Sequence, residues 1–174
     1  MRYASIRNMD ISNGEGVGVA LFVQGCHFHC KNCFNSDTWD FTSGKVWSRE
    51  IEDKFIELVK RPYIKRISLL GGEPLADENV FDIMQLINRV RNECPDKKVW
   101  CYTGYTWEQI FPIVDPYMNL TQTEIVRQNV VKSCDVLVDG RFIDEEKDLS
   151  LDFRGSKNQR IIEVEERIGR NYQM

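Results

Sequence analysis

Gly18-Val-Ala-Leu-Phe-Val-Gln24-Gly25-Cys26-His-Phe-His-Cys30-Lys-Asn-Cys33 is the stretch on which the reading of this chain turns. Its first seven residues form a near-continuous apolar run, the pattern of a strand covered on both faces, as strands of parallel sheets are. Its last eight put three thiols on a segment that has the period of neither helix nor strand. A buried strand that opens directly into a thiol-rich loop sets chemistry at the strand's carboxyl end. That is where ligands gather in parallel α/β sheets.

Downstream, Ile51, Phe55, Leu58 and Val59 repeat at helical spacing, with Ser48 as N-cap and Pro62 past the end. Arg66 to Leu70 is a second apolar strand, running into Gly71-Gly72-Glu73-Pro74. A helix capped by Asp77 follows, with Val80, Ile83, Met84, Ile87 and Val90 as one stripe and Pro95 as its stop. Lys98 to Thr103 reads as strand three and ends at Gly104. Thr121 to Lys132 reads as a helix opened by the capping box Thr121-Gln-Thr-Glu124. Asp135 to Val138 is strand four, ending at Asp139-Gly140, and Arg160 to Val164 is a last strand. The order β-loop-α-β-α-β-α-β predicts an α/β fold with a mostly parallel sheet and right-handed crossovers. The cysteine loop, Gly71-Gly72-Glu73, Thr103-Gly104 and Asp139-Gly140 each follow a strand, so all fall on one rim.

At 174 residues the chain is a single domain, 1–174, too short for the ~250 residues of a full eight-unit barrel, so an incomplete (β/α) barrel is expected. A hydrophobic content of 42% with 29% charged residues excludes a disordered chain, and a net charge of −4 argues against nucleic acid as a partner. No apolar run approaches a membrane span and the first ten residues lack a signal-peptide stretch, which points to the cytoplasm. In that reducing compartment six cysteines stand first for ligands, reactive thiols or small core residues.

Cys26, Cys30 and Cys33 lie within eight residues on a polar loop, where thiolates suit a soft metal site. Iron–sulfur clusters usually take four cysteines, and no fourth lies near. Three ligands on a four-iron cube leave one iron open to chelate a small molecule. From spacing alone, zinc held by the same cysteines with His27 or His29 remains the rival reading. Cys94, Cys101 and Cys134 fit no second cluster and read as small buried residues. The paired glycines Gly71-Gly72 let backbone approach a ligand, and the Glu73 carboxylate can accept from an ammonium group. A tight turn with a solvated Glu is the structural alternative. Arg154-Gly155-Ser156-Lys-Asn158-Gln159 is a dense polar group beside a strand, open to cofactor binding, partner binding or capping.

Cys-x3-Cys-x2-Cys over Cys26, Cys30 and Cys33 is similar to the signature of the radical S-adenosylmethionine (SAM) superfamily. The surroundings sharpen the resemblance: Asn13-Gly14-x-Gly16, Phe34-Asn35-x-x-Thr38-Trp39, Thr103-Gly104-Tyr105, Asp135-Val-Leu-Val-Asp139-Gly140 and Arg154-Gly155-Ser156-Lys-Asn158-Gln159. Together, over Ile11 to Gln159, the chain resembles the glycyl-radical activases that serve anaerobic ribonucleoside-triphosphate reductase. The resemblance implies a barrel of the radical SAM type and a [4Fe-4S] cluster on Cys26, Cys30 and Cys33. It implies SAM held by Gly71, Gly72 and Glu73 at its amino group, and lined by Asn32, Cys33 and Phe34 through backbone contacts, with Thr103 reaching in. It names no catalytic residue beyond cluster and SAM. Its implied partners are the large glycyl-radical subunit of the reductase and an electron donor such as flavodoxin. Asn32 departs from the aromatic residue that many superfamily members carry before the third cysteine. Activation of another glycyl-radical enzyme, such as pyruvate formate-lyase, small-molecule radical SAM chemistry, or a non-catalytic zinc module are the alternatives.

Overall fold

The computed structural model describes residues 1–112 and 119–171. β1 (Arg2–Asp10), β2 (Gly18–Val23) and β3 (Lys45–Val46) precede α1 (Arg49–Val59). After these come β4 (Arg66–Gly71), α2 (Val80–Glu93), β5 (Lys98–Tyr102), the short α3 (Trp107–Ile110) and α4 (Gln122–Lys132). β6 (Val136–Asp139), β7 (Arg160–Glu163) and α5 (Val164–Asn171) complete the order. The strands form one sheet in the order β3-β1-β2-β4-β5-β6-β7. β2, β4, β5 and β6 run parallel, with Leu21 opposite Leu69, Leu69 opposite Cys101 and Cys101 opposite Leu137. β1 is antiparallel to both β2 and β3, and β7 is antiparallel to β6.

The α/β class and the parallel centre are as expected, but the sheet is mixed and open, with β3 and β7 as its edges. The expected incomplete barrel is present only as an open sheet, four parallel strands flanked by antiparallel ones. The physical reason lies in the connections. Parallel neighbours need a crossover of a dozen or more residues, usually a helix. Such helices stand between β4 and β5 and between β5 and β6, whereas β6 reaches β7 through a loop and turns back beside it. β1 escapes sequence reading because only Tyr3 and Asp10 of its nine residues are buried, so the period of two is faint. No helix among the described residues is long and apolar enough to cross a membrane.

Alternation along the strands sorts the two faces. Val19, Leu21, Ile67, Leu69, Val99 and Leu137 pack with Phe55 and Ile56 of α1, Ile83, Leu86 and Ile87 of α2, and Val130 and Val131 of α4. Cys94, Cys101 and Cys134 belong to this core as small buried residues. The opposite positions, Ala20, Phe22 and Leu70, then Trp100, Val136 and Val138, form clusters that contain no helix residue. The helices thus lie on one face, and loops cover the other. Ser48 caps α1, and Thr121 with Glu124 closes a capping box on α4, as expected. A second box, Thr106 with Gln109, opens α3; its Thr-x-x-Gln signature was present in the sequence. Asp77 is not the cap of α2. That position is Asn79, which turns away from the helix and donates Nδ2 to the Gln24 and Glu73 carbonyls, 3.0 Å each.

One charged side chain is wholly interior. Arg66, 1% exposed, donates to Asp10 Oδ1 at 3.0 Å, to the Asp10 carbonyl at 3.1 Å, to the Glu15 carbonyl at 3.2 Å and to Ser68 Oγ at 2.5 Å. Gly14 and Gly18 leave it room: a Cβ on either would fall within 2.8 Å of its side chain. Asn13-Gly14-x-Gly16 is therefore a wrapping for Arg66. Burial alone pushes the Asp10 carboxyl up, but bonds from Arg66 and Asn13 outweigh it and hold it below 3.8. Removing one partner of a buried pair strands the other. Arg66→Met should cost about 3–5 kcal/mol in urea denaturation at neutral pH. Asp10 has its pKa lowered by folding, so the pair's stabilisation is present above 3.8 and is lost as pH falls through the native value. The gap between wild type and variant should accordingly narrow in acid.

Candidate functional site

The cysteine loop leaves β2 and is clipped at both ends by backbone. Gly25 N donates to the Thr38 carbonyl at 2.7 Å and Cys26 N to the Trp39 carbonyl at 3.0 Å. Thr38 is fixed in turn, donating Oγ1 to the Asn35 carbonyl at 2.7 Å. The Phe34-Asn35-x-x-Thr38-Trp39 motif is thus the clasp that returns the loop to its root. Inside it, His29 and Asn32 take positive φ, +46° and +54°, and Cys33 N reaches the Cys30 carbonyl at 3.1 Å. These bends turn the chain tightly enough for Cys26, Cys30 and Cys33 to line one cavity of about 450 Å³.

That cavity lies on the helix-free face, at the carboxyl ends of the parallel strands. Gly71, Gly72, Glu73, Thr103 and Phe34 also line it. The loop seats directly on the end of β4: Glu73 N donates to the Gly25 carbonyl at 2.7 Å and Gly72 N to the Val23 carbonyl at 2.9 Å. A Cβ on Gly72 would stand 2.4 Å from the Gly25 oxygen and 2.9 Å from the Thr38 oxygen. Glycine is required there by the close approach of two backbones.

Glu73 is 2% exposed and fully engaged by its own chain. Its carboxylate accepts from Leu75 N at 2.9 Å, Thr103 Oγ1 at 2.9 Å and Gly104 N at 2.8 Å. Burial raises its pKa to about 7 against those three bonds. It ties the end of β4 to the end of β5, so Thr103-Gly104 is held where a Cβ on Gly104 would strike the Phe28 ring at 2.4 Å. Asn32 is not on the cavity wall; its side chain donates to Asp144 Oδ2 at 2.7 Å on the exposed side of the loop.

The histidines are also turned elsewhere. His29 stacks on Trp39 with centroids 4.6 Å apart, and His27 meets Phe41 and Glu78, the latter at 2.9 Å. Neither lines the cavity. Among the described residues no three Cys, His, Asp or Glu side chains gather tightly enough to hold a single ion. A four-iron cube asks for something different, one thiolate at each of several corners, and three thiols around one cavity suit it. Burial pushes the Cys26 thiol up to about 11 and raises Cys30 as well, Cys33 adding to the latter. Metal binding would draw the protons from Cys26 and Cys30.

Several wall residues are absent from the sequence reading. Phe22, Leu70 and Tyr102 form the floor; strand alternation opposite Leu21, Leu69 and Cys101 is the signal that finds them. Arg7 enters from β1, whose own pattern is faint. Arg154-Gly155-Ser156-Lys-Asn158-Gln159 is a knot. Gln159 Oε1 accepts from Gly155 N at 2.8 Å and Ser156 N at 3.2 Å, while its Nε2 donates to the Gly140 carbonyl at 3.0 Å. Asn158 donates to the Arg141 carbonyl at 2.8 Å. The group ties the loop after β6 over the cysteine loop, where Phe142 meets Phe34 at 5.1 Å.

Residues 12–162 match the family described as 4Fe-4S single cluster domain. The chain is 41% identical over 163 residues to a Vibrio cholerae protein, covering 92% of this chain and 97% of the relative. It is 40% identical over 161 residues to an Escherichia coli protein, covering 91% and 96%. It is 37% identical over 163 residues to a Haemophilus influenzae protein, covering 92% and 97%. Each of the three is named an anaerobic ribonucleoside-triphosphate reductase-activating protein.

Gly72→Ala forces a methyl against two backbone carbonyls that cannot rotate away. It should destabilise the protein by about 1–3 kcal/mol or more in thermal or urea unfolding. Hydrogen exchange should quicken at the Gly25 and Cys26 amides, whereas unchanged protection there would mean the seat is looser than described.

Proposed function

The chain belongs to the anaerobic ribonucleoside-triphosphate reductase-activating protein family, with a 4Fe-4S single cluster domain, and from that premise we propose that it is a radical SAM activase of this reductase. The observation that carries the proposal is the meeting of three thiols and the Gly71-Gly72-Glu73 turn around one cavity. Cys26, Cys30 and Cys33 hold a [4Fe-4S] cluster and leave one iron free. When bound, the reduced cluster and SAM supply the electron and the 5′-deoxyadenosyl group that takes a hydrogen atom from a backbone glycine, leaving methionine and 5′-deoxyadenosine.

The chain's own residues bind, orient and exclude water. The Gly71-Gly72 backbone faces the amino group of SAM. Glu73 acts chiefly by holding Thr103 and Gly104 in place, since its carboxylate already has three donors. Backbone at Cys33 and Phe34 lines the adenosine, while Asn32, expected beside them, stays off the cavity wall, and Phe22, Leu70 and Tyr102 form the floor. The electron comes from a one-electron donor such as flavodoxin. The target loop enters from the face that carries no helix. A glycine Cα–H asks for no side-chain pocket, so an open mouth suffices.

Cys26→Ala, Cys30→Ala or Cys33→Ala should each abolish the cluster after anaerobic reconstitution, read as iron and sulfide content, while Cys94→Ala should keep it. Reduced wild-type protein, SAM and an anaerobic ribonucleotide reductase from the same source should yield the glycyl-radical EPR doublet. That doublet should vanish when the reductase's C-terminal glycine becomes alanine. A doublet on pyruvate formate-lyase alone would overturn the named partner. Iron-free protein with stoichiometric zinc would overturn the chemistry.

A further inference from the structure

Leu149, Ile11 and Met9 are the most exposed large apolar side chains among the described residues, at 82%, 72% and 63%. Two of them stand on braced turns. Asp10 Oδ1 accepts from Asn13 N at 2.9 Å across Ile11, and Asp148 Oδ1 accepts from Ser150 N at 2.9 Å across Leu149. An apolar group held out to solvent on a fixed backbone has little ordering left to lose when a partner covers it. The two turns belong to one mouth. Ser12, Asn13, Leu151 and Phe153 line the cavity. Trp100 joins the two sides: a Cβ on Gly14 would fall 2.8 Å from its ring, and the Phe153 ring lies 5.5 Å away.

This mouth lies toward the opposite end of the strands from the thiols. Val23 pairs with Gly71 at the rim where the cysteine loop begins, whereas Arg7 pairs with Ala20, three residues or about 10 Å toward the amino end of β2. Arg7 lines the cavity, its guanidinium 4.4 Å from the Phe22 centroid, and makes no hydrogen bond among the described residues. The one carboxylate within 4.0 Å of it there, Asp10 at 3.8 Å, already accepts from Arg66 and Asn13. The Tyr102 hydroxyl, buried on the same wall, has no partner either. Both unspent groups can donate, so what fills this end presents acceptors. The carbonyl oxygens of an extended main chain are acceptors at regular spacing.

We propose that this mouth is where the large partner protein docks, with Ile11 and Leu149 as the apolar lips that seat it, and with Arg7 and Tyr102 donating to backbone carbonyls of the glycine-bearing segment it inserts. This rests on the function proposed above. It gives the target its own end of the cavity, apart from the Gly71-Gly72 turn assigned to SAM. The occupant is a polypeptide because the lips ask for an apolar protein surface while the floor behind them asks for main-chain oxygens. A residue with no side chain lets the carbonyls on either side of it come down to that floor.

The test uses cluster-loaded full-length protein, SAM, and the large subunit of the reductase from the same source. Ile11→Asp combined with Leu149→Asp should weaken equilibrium association with that subunit by ~10–100-fold. The change that SAM produces in the EPR signal of the reduced cluster should persist in this variant. Arg7→Met should weaken association by about tenfold. Tyr102→Phe removes an unpaired buried hydroxyl, so it should keep or raise the melting temperature and yet weaken association by roughly threefold. Undiminished association in the double variant, or loss of its SAM response, would overturn the docking assignment and leave the activase reading intact. So would association that neither Arg7→Met nor Tyr102→Phe alters. Wild-type protein that gives no SAM response, or does not associate with the reductase, would overturn the activase reading itself.

Discussion

The seat of the cysteine loop on the end of β4 is the contact on which the site depends. β2 and β4 are parallel neighbours, Val23 opposite Gly71, so their carboxyl ends emerge side by side. From there Glu73 N reaches the Gly25 carbonyl at 2.7 Å, and Gly72 lies so close to Gly25 and Thr38 that no Cβ fits. Backbone packed on backbone is stiff, because neither side has a rotamer to yield. The thiols borrow that stiffness from the sheet, although they ride on a loop with no regular structure of its own.

Two buried acids extend the same logic from the rim to the base of the sheet. At the rim, Glu73 takes donors from Leu75, Thr103 and Gly104 and so couples the ends of β4 and β5. At the base, Asp10 pairs with Arg66 and organises the turn from β1 into β2. Both carboxylates are almost wholly buried, yet folding moves their pKa values in opposite directions. Asp10 has a guanidinium against it, while Glu73 has only neutral donors in direct contact. The helix-free face between these two posts is left for the cavity, because all three long helices pack against the other side.

Much of this was legible in the sequence for stated physical reasons. The apolar run Gly18 to Gln24, the stripe of α2 and the capping box at Thr121 are local patterns, and each formed the element it implied. The convergence of the cysteines with Gly71-Gly72-Glu73 followed from parallel order alone. What escaped depends on partners distant in sequence. β1 is held by pairing to β2 rather than by its own apolar content, and β7 turns antiparallel because no helix carries the chain back. Asn79, not Asp77, holds the α2 cap position, and its side chain is spent on the distant Gln24 and Glu73 carbonyls. The knot at Arg154 to Gln159 binds carbonyls of Gly140 and Arg141, which no spacing rule connects.

The central claim is that Cys26, Cys30 and Cys33 hold a four-iron cluster with one iron left for the amino-acid end of SAM. Mössbauer spectroscopy of the cluster rebuilt with iron-57, with and without SAM, addresses it most directly. The account predicts that one iron of the four changes its isomer shift and quadrupole splitting on SAM addition while the other three hold theirs. Four irons that remain equivalent and indifferent to SAM would contradict it.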